Sequence, residues 1–231
     1  MSLNENTRVV IASPHVRHDD LELALQEKLG LNVLRIRDRS DLEISRLLEF
    51  MPRYIFFPHW SWIIPEKIFK KFECVVFHMT DLPYGRGGSP LQNLIVRGIS
   101  ETQLTALRCV AAVDAGPIYI KRPLSLSGTA EDILLRAANL TEEMIEYIVR
   151  EQPKPTAQIG GVTVFRRRLP EEGSLADLDD LEKVFDYIRM LDAYGYPNAF
   201  IETAAFRFSF SRASLSSEAV VAEVKITRRS S

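Results

Sequence analysis

Short apolar runs alternate with amphipathic stretches through the first two thirds of the chain. Residues 8–13 (RVVIAS) form a β-branched run that predicts a buried strand. Residues 18–29 follow with leucines at helical spacing and Gly30 in the position of a C-cap. The same reading predicts strands at 32–36, 54–57 and 74–78, and helices at 41–50 and 65–72, the last with proline in its first turn. Residues 80–90 (TDLPYGRGGSP) are loop by composition, with Ser89 and Pro90 placed to start a helix that Gly98 ends. Two strands, 104–113 and 118–123, are joined by DAGP, and an amphipathic helix spans 129–151. Alternation of this kind argues for an α/β fold: an open, mostly parallel sheet with helices on both faces.

The texture changes after Gln152. PKPTAQIGG reads as a linker, and beyond it the pattern predicts a strand at 162–165, a helix at 179–192 and the alternating strands AFIE, FRFSF and VVAEVKI. Residues 1–152 are therefore expected to form the main domain, and 153–231 a small α+β C-terminal extension.

Composition narrows the function classes. The formal net charge is −2, without the basic excess of a protein whose main partner is a nucleic acid, so no nucleic-acid partner is expected. Neither a signal peptide nor an apolar run long enough to span a bilayer is evident, which predicts a cytoplasmic chain without a membrane partner. Cys74 and Cys109 lie inside apolar runs and are expected to be structural thiols, and no motif points to a metal.

Ligands of an open parallel sheet bind beyond the carboxyl ends of its strands. Three candidates fall there: His59, His78 and Asp114. A histidine beside a carboxylate suits proton transfer near neutral pH. The same residues also suit a structural histidine and an aspartate turn. The small residues of 85–89 would let backbone N–H groups approach a planar ligand. No G-x-G-x-x-G follows the first strand, which has SPHVRHDD instead, and no G-x-S-x-G occurs anywhere.

FHMTDLPYGRGGSPLQNLIVRG, followed by VDAGPIYIKRPLSLSGTAEDI, resembles the catalytic segment of the folate-dependent formyltransferases. That family includes methionyl-tRNA, glycinamide ribonucleotide and nucleotide-sugar enzymes. Its pattern runs N-x-H-x-S-x-L-P, then R-G-x-x-P, then D-x-G. His78 and Thr80 match the family histidine and serine, Leu82-Pro83 the L-P pair, Arg86, Gly87 and Pro90 the loop, and Asp114 and Gly116 the D-x-G. More weakly, RRRLPEEG, YIRML and YPNAF resemble the segment that follows the catalytic domain in the tRNA and sugar enzymes. The resemblance implies the formyltransferase fold and N10-formyltetrahydrofolate as donor. Thr80, Arg86, Gly87, Gly88 and Pro90 would hold the donor, and His78 and Asp114 would handle the proton. The charge and length point, within the family, toward a nucleotide-linked amino sugar as acceptor, as in surface polysaccharide synthesis.

The family asparagine falls on Val76, and His59 is the expected substitute. Two alternatives stay open: a drifted, non-catalytic binding protein of the same fold, and a formyltetrahydrofolate hydrolase. The alternating C-terminal strands also allow a homodimer.

Overall fold

A computed structural model describes residues 7–229. In chain order the elements are β1 (Arg8–Ala12), α1 (Leu21–Leu29), β2 (Asn32–Ile36), α2 (Ile44–Phe50), β3 (Tyr54–Phe57), α3 (Glu66–Phe69), β4 (Cys74–His78), β5 (Arg86–Gly87), α4 (Pro90–Ile95), β6 (Glu101–Arg108), β7 (Ile118–Ser125), α5 (Ala130–Glu151), β8 (Val164–Phe165), α6 (Leu181–Arg189), β9 (Ala199–Glu202), β10 (Phe206–Leu215) and β11 (Val220–Arg228). They divide into two compact units. The first runs to Arg86 and adds Gln103–Leu124 and Leu135–Val164. The second comprises Gly87–Thr102, Ser125–Leu134 and the chain from Phe165 onward.

The first unit is built on a sheet of order β2-β1-β3-β4-β6-β7. Strands β2, β1, β3 and β4 pair in parallel. Side chains alternate between faces along each strand. One face carries Val10 and Ala12, Ile36, Ile55 and Phe57, and Cys74, and α2 and α3 contribute Leu47 and Ile68 to the same apolar cluster. Tyr54 and Phe56 have the opposite parity, and their rings lie 5.5 Å apart. Lys28 of α1 reaches Glu142 (2.5 Å) and Glu146 (2.8 Å) on α5.

Strand β6 departs from the expected 104–113. It starts earlier, ends at Arg108 and runs antiparallel to β4, with Val75 opposite Arg108 and His78 opposite Thr105. Pairing stops there because β4 itself begins at Cys74, whose carbonyl takes the last hydrogen bond from the Cys109 N–H (2.8 Å). The helix expected at 18–29 likewise splits into a 3-10 turn at Val16–His18 and α1, which Gly30 ends with φ 63° as anticipated.

In the second unit β9, β10 and β11 form an antiparallel sheet of order β11-β10-β9. Helix α6 begins at Asp180, whose carboxylate accepts from the Lys183 N–H at 3.0 Å. Its Ile188 packs with Leu175 and Ala199. Among the described residues, no helix is long and apolar enough to cross a membrane.

Ile55 is fully buried in the central strand β3. Ile55→Ala is expected to cost about 2–5 kcal/mol of unfolding free energy, read from a denaturant titration.

Candidate functional site

His78 is the last residue of β4 and only 8% exposed. It shares a face with Cys74 and Val76 because alternate strand residues do. Its Nε2–H donates to the Gly85 carbonyl at 2.8 Å. Its Nδ1 lies 3.5 Å from Asp114 Oδ2. The imidazole is thus bracketed by two oxygens, one of them a carboxylate, which fixes the ring plane. The structure brings His78 and Asp114 together although they are far apart in sequence.

Asp114 arrives by an indirect route. β6 ends beside Cys74, the opposite end of β4 from His78, so the loop 109–117 must turn back. Asp114 sits in the left-handed region, φ 51°, a conformation aspartate tolerates better than most residues. Two residues later, a Cβ on Gly116 would collide with the Arg108 carbonyl, so only glycine fits. Gln158 clamps the turn. Its Nε2 donates to the carbonyls of Asp114 (2.8 Å) and Gly116 (2.9 Å). Its Oε1 accepts from Arg86 Nε (3.1 Å) and Nη2 (2.7 Å). One amide therefore ties the Asp114 turn to the segment carrying Gly85.

Thr80 is fully buried; its hydroxyl approaches the Gly85 carbonyl at 3.4 Å, and its own carbonyl accepts from Thr105 Oγ1 at 2.7 Å. The N–H groups of Gly85 and Arg86 both donate to the Thr163 carbonyl. The sequence pattern reserved such amides for a ligand, but here they hold the returning chain. In the second unit, Gly88 likewise donates to Phe165, and a Cβ on Gly87 or Gly88 would strike Phe165 or Arg167. Pro90 opens α4 as expected, but Ser89 (φ 46°) does not cap it and accepts from the Arg168 N–H instead. Asn93 Nδ2 donates to the carbonyls of Gly88, Ser89 and Arg166.

Val76, at the position of the family asparagine, packs against the apolar cluster of the sheet. His59 lies just past β3 with φ 51°. Its ring is 4.1 Å from that of His15, and its Nδ1 accepts from Arg17 Nη1 at 3.3 Å. Burial first, then the charges of His15, Arg17 and His18, hold its pKa well below the usual histidine range. His18 is lowered to about 3 by burial and by Arg17 and Arg35. Burial also pushes the Cys74 thiol up and Cys109 up to about 11, with Asp114 adding to the second. Both cysteines are thus poor nucleophiles, consistent with structural thiols.

Residues 170–227 match the family described as methionyl-tRNA formyltransferase, C-terminal domain. A solved structure named as a methionyl-tRNA formyltransferase from Clostridium thermocellum is 44% identical, covers 96% of this chain and 100% of its own, and superposes with a TM-score of 0.93. The chain belongs to the formyltransferase family. Among other relatives, the methionyl-tRNA formyltransferase of Bacillus mycoides is 27% identical over 180 residues, which are 73% of this chain and 57% of that protein. The chain thus spans somewhat more than half the length of such curated relatives. A likely sugar N-formyltransferase from Mycobacterium tuberculosis (17% identity, 86% of this chain and 93% of that one, TM-score 0.70) shares the formyltransferase fold. So does HypX from Aquifex aeolicus, solved with tetrahydrofolic acid (19% identity, 89% and 37% coverage, TM-score 0.73).

Sequence reasoning singled out His78 and Asp114 but missed Gln158. A lone glutamine in a proline- and glycine-rich stretch carries no periodic signal. It also missed the cluster of His15, Arg17, His18 and Arg35 beside His59, whose members come from the β1–α1 segment, β2 and the loop after β3.

Gln158→Ala would leave two carbonyls of the Asp114 turn without their donor. The expected loss is about 1–3 kcal/mol of stability, measured by denaturant unfolding. His18 gives a pH signature. Its folded pKa of about 3 lies below the ordinary 6.5, so between those values the unfolded chain binds a proton that the folded chain refuses. Stability therefore falls as the pH drops through that window, by about 1.4 kcal/mol per unit from this group. His18→Gln should remove about 2 kcal/mol of the parent's loss between pH 7 and pH 5, in unfolding titrations at the two pH values.

Proposed function

We propose that this protein transfers a formyl group from N10-formyltetrahydrofolate to a primary amine. The contact between His78 and Asp114 carries the reading. The chemistry of the residues fits a formyl donor. An imidazole and a carboxylate can accept and return protons, and the Gly85 carbonyl and Thr80 hydroxyl can hydrogen-bond, but none of these groups serves as an electrophile. The electrophilic carbon must therefore come with a ligand, and the folate donor supplies it when bound. Thr80 and Arg86 stand on the segment that would meet it.

In the transfer, the acceptor nitrogen bonds to the formyl carbon and the bond from that carbon to N10 breaks. The proton lost by the amine ends on N10, so no other reactant is needed. His78 is the group placed to relay that proton, and Asp114 orients the ring and supports its transient positive charge. Gly85 must release Nε2 for this role, because its carbonyl occupies that nitrogen.

For the acceptor we favour the amine of a nucleotide-linked amino sugar. The absence of a basic excess supports it, and the shared fold of a likely sugar N-formyltransferase is compatible with it. Methionyl-tRNA is the second reading, favoured by the 44% identity to the protein from Clostridium thermocellum that bears that name.

The test is a product assay with N10-formyltetrahydrofolate and either a panel of nucleotide-linked amino sugars or methionyl-tRNA. Formylated sugar supports the first reading and formylmethionyl-tRNA the second. No formyl product from either refutes both. Under the proposal His78→Asn and Asp114→Asn each slow turnover about 100-fold or more while the chain stays folded.

A further inference from the structure

The chain has four histidines, and all four follow or end parallel strands of the first unit. His78 belongs to the site described above. The other three gather on the adjoining stretch of the sheet's carboxyl rim: His15 and His18 after β1, and His59 after β3, the neighbour of β4. We propose that His15, Arg17 and His59 bind a phosphate group carried by the acceptor.

Geometry supplies the first argument. Arg17 Nη1 reaches His59 Nδ1, and the His15 and His59 rings lie against each other. Arg35, whose charge acts on the adjoining His18, has its side chain only 3% exposed. It donates to the Ile11 (3.1 Å) and Ile36 (3.2 Å) carbonyls and approaches Asp19 at 3.4 Å. Arg37 draws on the same Asp19 oxygen at 3.2 Å. Two buried donors of this region, Arg35 Nε and Trp60 Nε1, have no hydrogen-bond partner. Guanidinium and imidazole donors converging at the carboxyl rim suit a phosphate.

Electrostatics supply the second. The groups facing His59 are His15 and Arg17 from the β1–α1 loop, with His18, Asp19 and Arg35 beyond them. The charges acting on His59 are those of His15, Arg17 and His18, all of one sign when protonated. A bound dianion reverses that field and lets an imidazole take up a proton. A metal ion is the wrong occupant. Arginine repels it, and among the described residues no group of three or more His, Cys, Asp or Glu is arranged to hold one.

The position also fits a substrate. The site straddles the ends of β1 and β3, and β3 pairs directly with β4, so it extends from one to two strand spacings, about 5–10 Å, from the end of β4. A single sugar ring bearing an amine and a phosphate spans much of that gap. The word acceptor rests on the transfer reading; the anion site does not.

The experiment is calorimetric titration of the full chain with inorganic pyrophosphate, and separately with UDP and dTDP, in buffers of different ionisation enthalpy. Binding with net proton uptake, tighter at pH 6 than at pH 8, is expected. Arg17→Gln should weaken pyrophosphate about tenfold or more. His59→Asn should abolish the proton uptake, since asparagine tolerates a positive φ. Unaltered thermal unfolding of both variants shows that they are folded. Affinity and proton uptake unchanged in both variants, or no binding by the parent, overturns the proposal. Nucleoside diphosphates binding more tightly than pyrophosphate assign the phosphate to a nucleotide; equal affinities assign it to a simple phosphate ester. Pyrophosphate binding lost in the variants while the parent forms no formyl product would keep the site and sink the transfer reading. Formyl transfer with an acceptor KM that Arg17→Gln leaves unchanged would do the reverse.

Discussion

Asp114 reaches His78 only because the loop 109–117 turns back toward the end of β4 that the preceding strand has just left. Nothing in regular secondary structure provides that path. It is set by a left-handed aspartate, a glycine pressed against the Arg108 carbonyl, and a glutamine bridging two carbonyls of the turn. The carboxylate is thereby held in place by the fold itself, as the proposed proton transfer at a fixed nitrogen would demand. Because the same glutamine holds Arg86, the two halves of the site are fixed by one side chain.

Much of this was legible in the sequence. Buried parallel strands announce themselves as short β-branched runs, and RVVIAS, YIFF and CVVFH all fold as such. The amphipathic stripe of α5 fixed its length almost to the residue. The pairing of His78 with Asp114 is implied by the family resemblance, whereas the residues by themselves do not say that the two touch. What failed was direction. An apolar run carries no sign of whether its strand runs with or against its neighbour, and the apolar residues that continue past Arg108 belong to the turn back and not to β6. The amides of Gly85 and Arg86 were misjudged for a related reason. Small residues make backbone accessible, but composition cannot say whether a ligand or the returning chain will use it.

Family membership and chemistry stand on different ground. Identity of 44% across the whole of a solved relative places the chain in the formyltransferases. Under the proposal the acceptor is met at the rim of the sheet, where SPHVRHDD brings His15, Arg17 and His18 close to His59. On that reading a change there would alter what is held without disturbing the contact between His78 and Asp114, so substrate choice and proton handling could vary separately on one scaffold.

The C-terminal sheet carries a consequence of its own. β11 is an edge strand, and Val221, Val224 and Ile226 are exposed along it. Such an edge is a template on which another chain could add a strand. Glu223 and Lys225 interleave with those apolar residues and Arg228 closes the strand, so an incoming backbone would have to bring ionised side chains into close register with them. The cost of that encounter disfavours strand addition on a long, partly apolar edge.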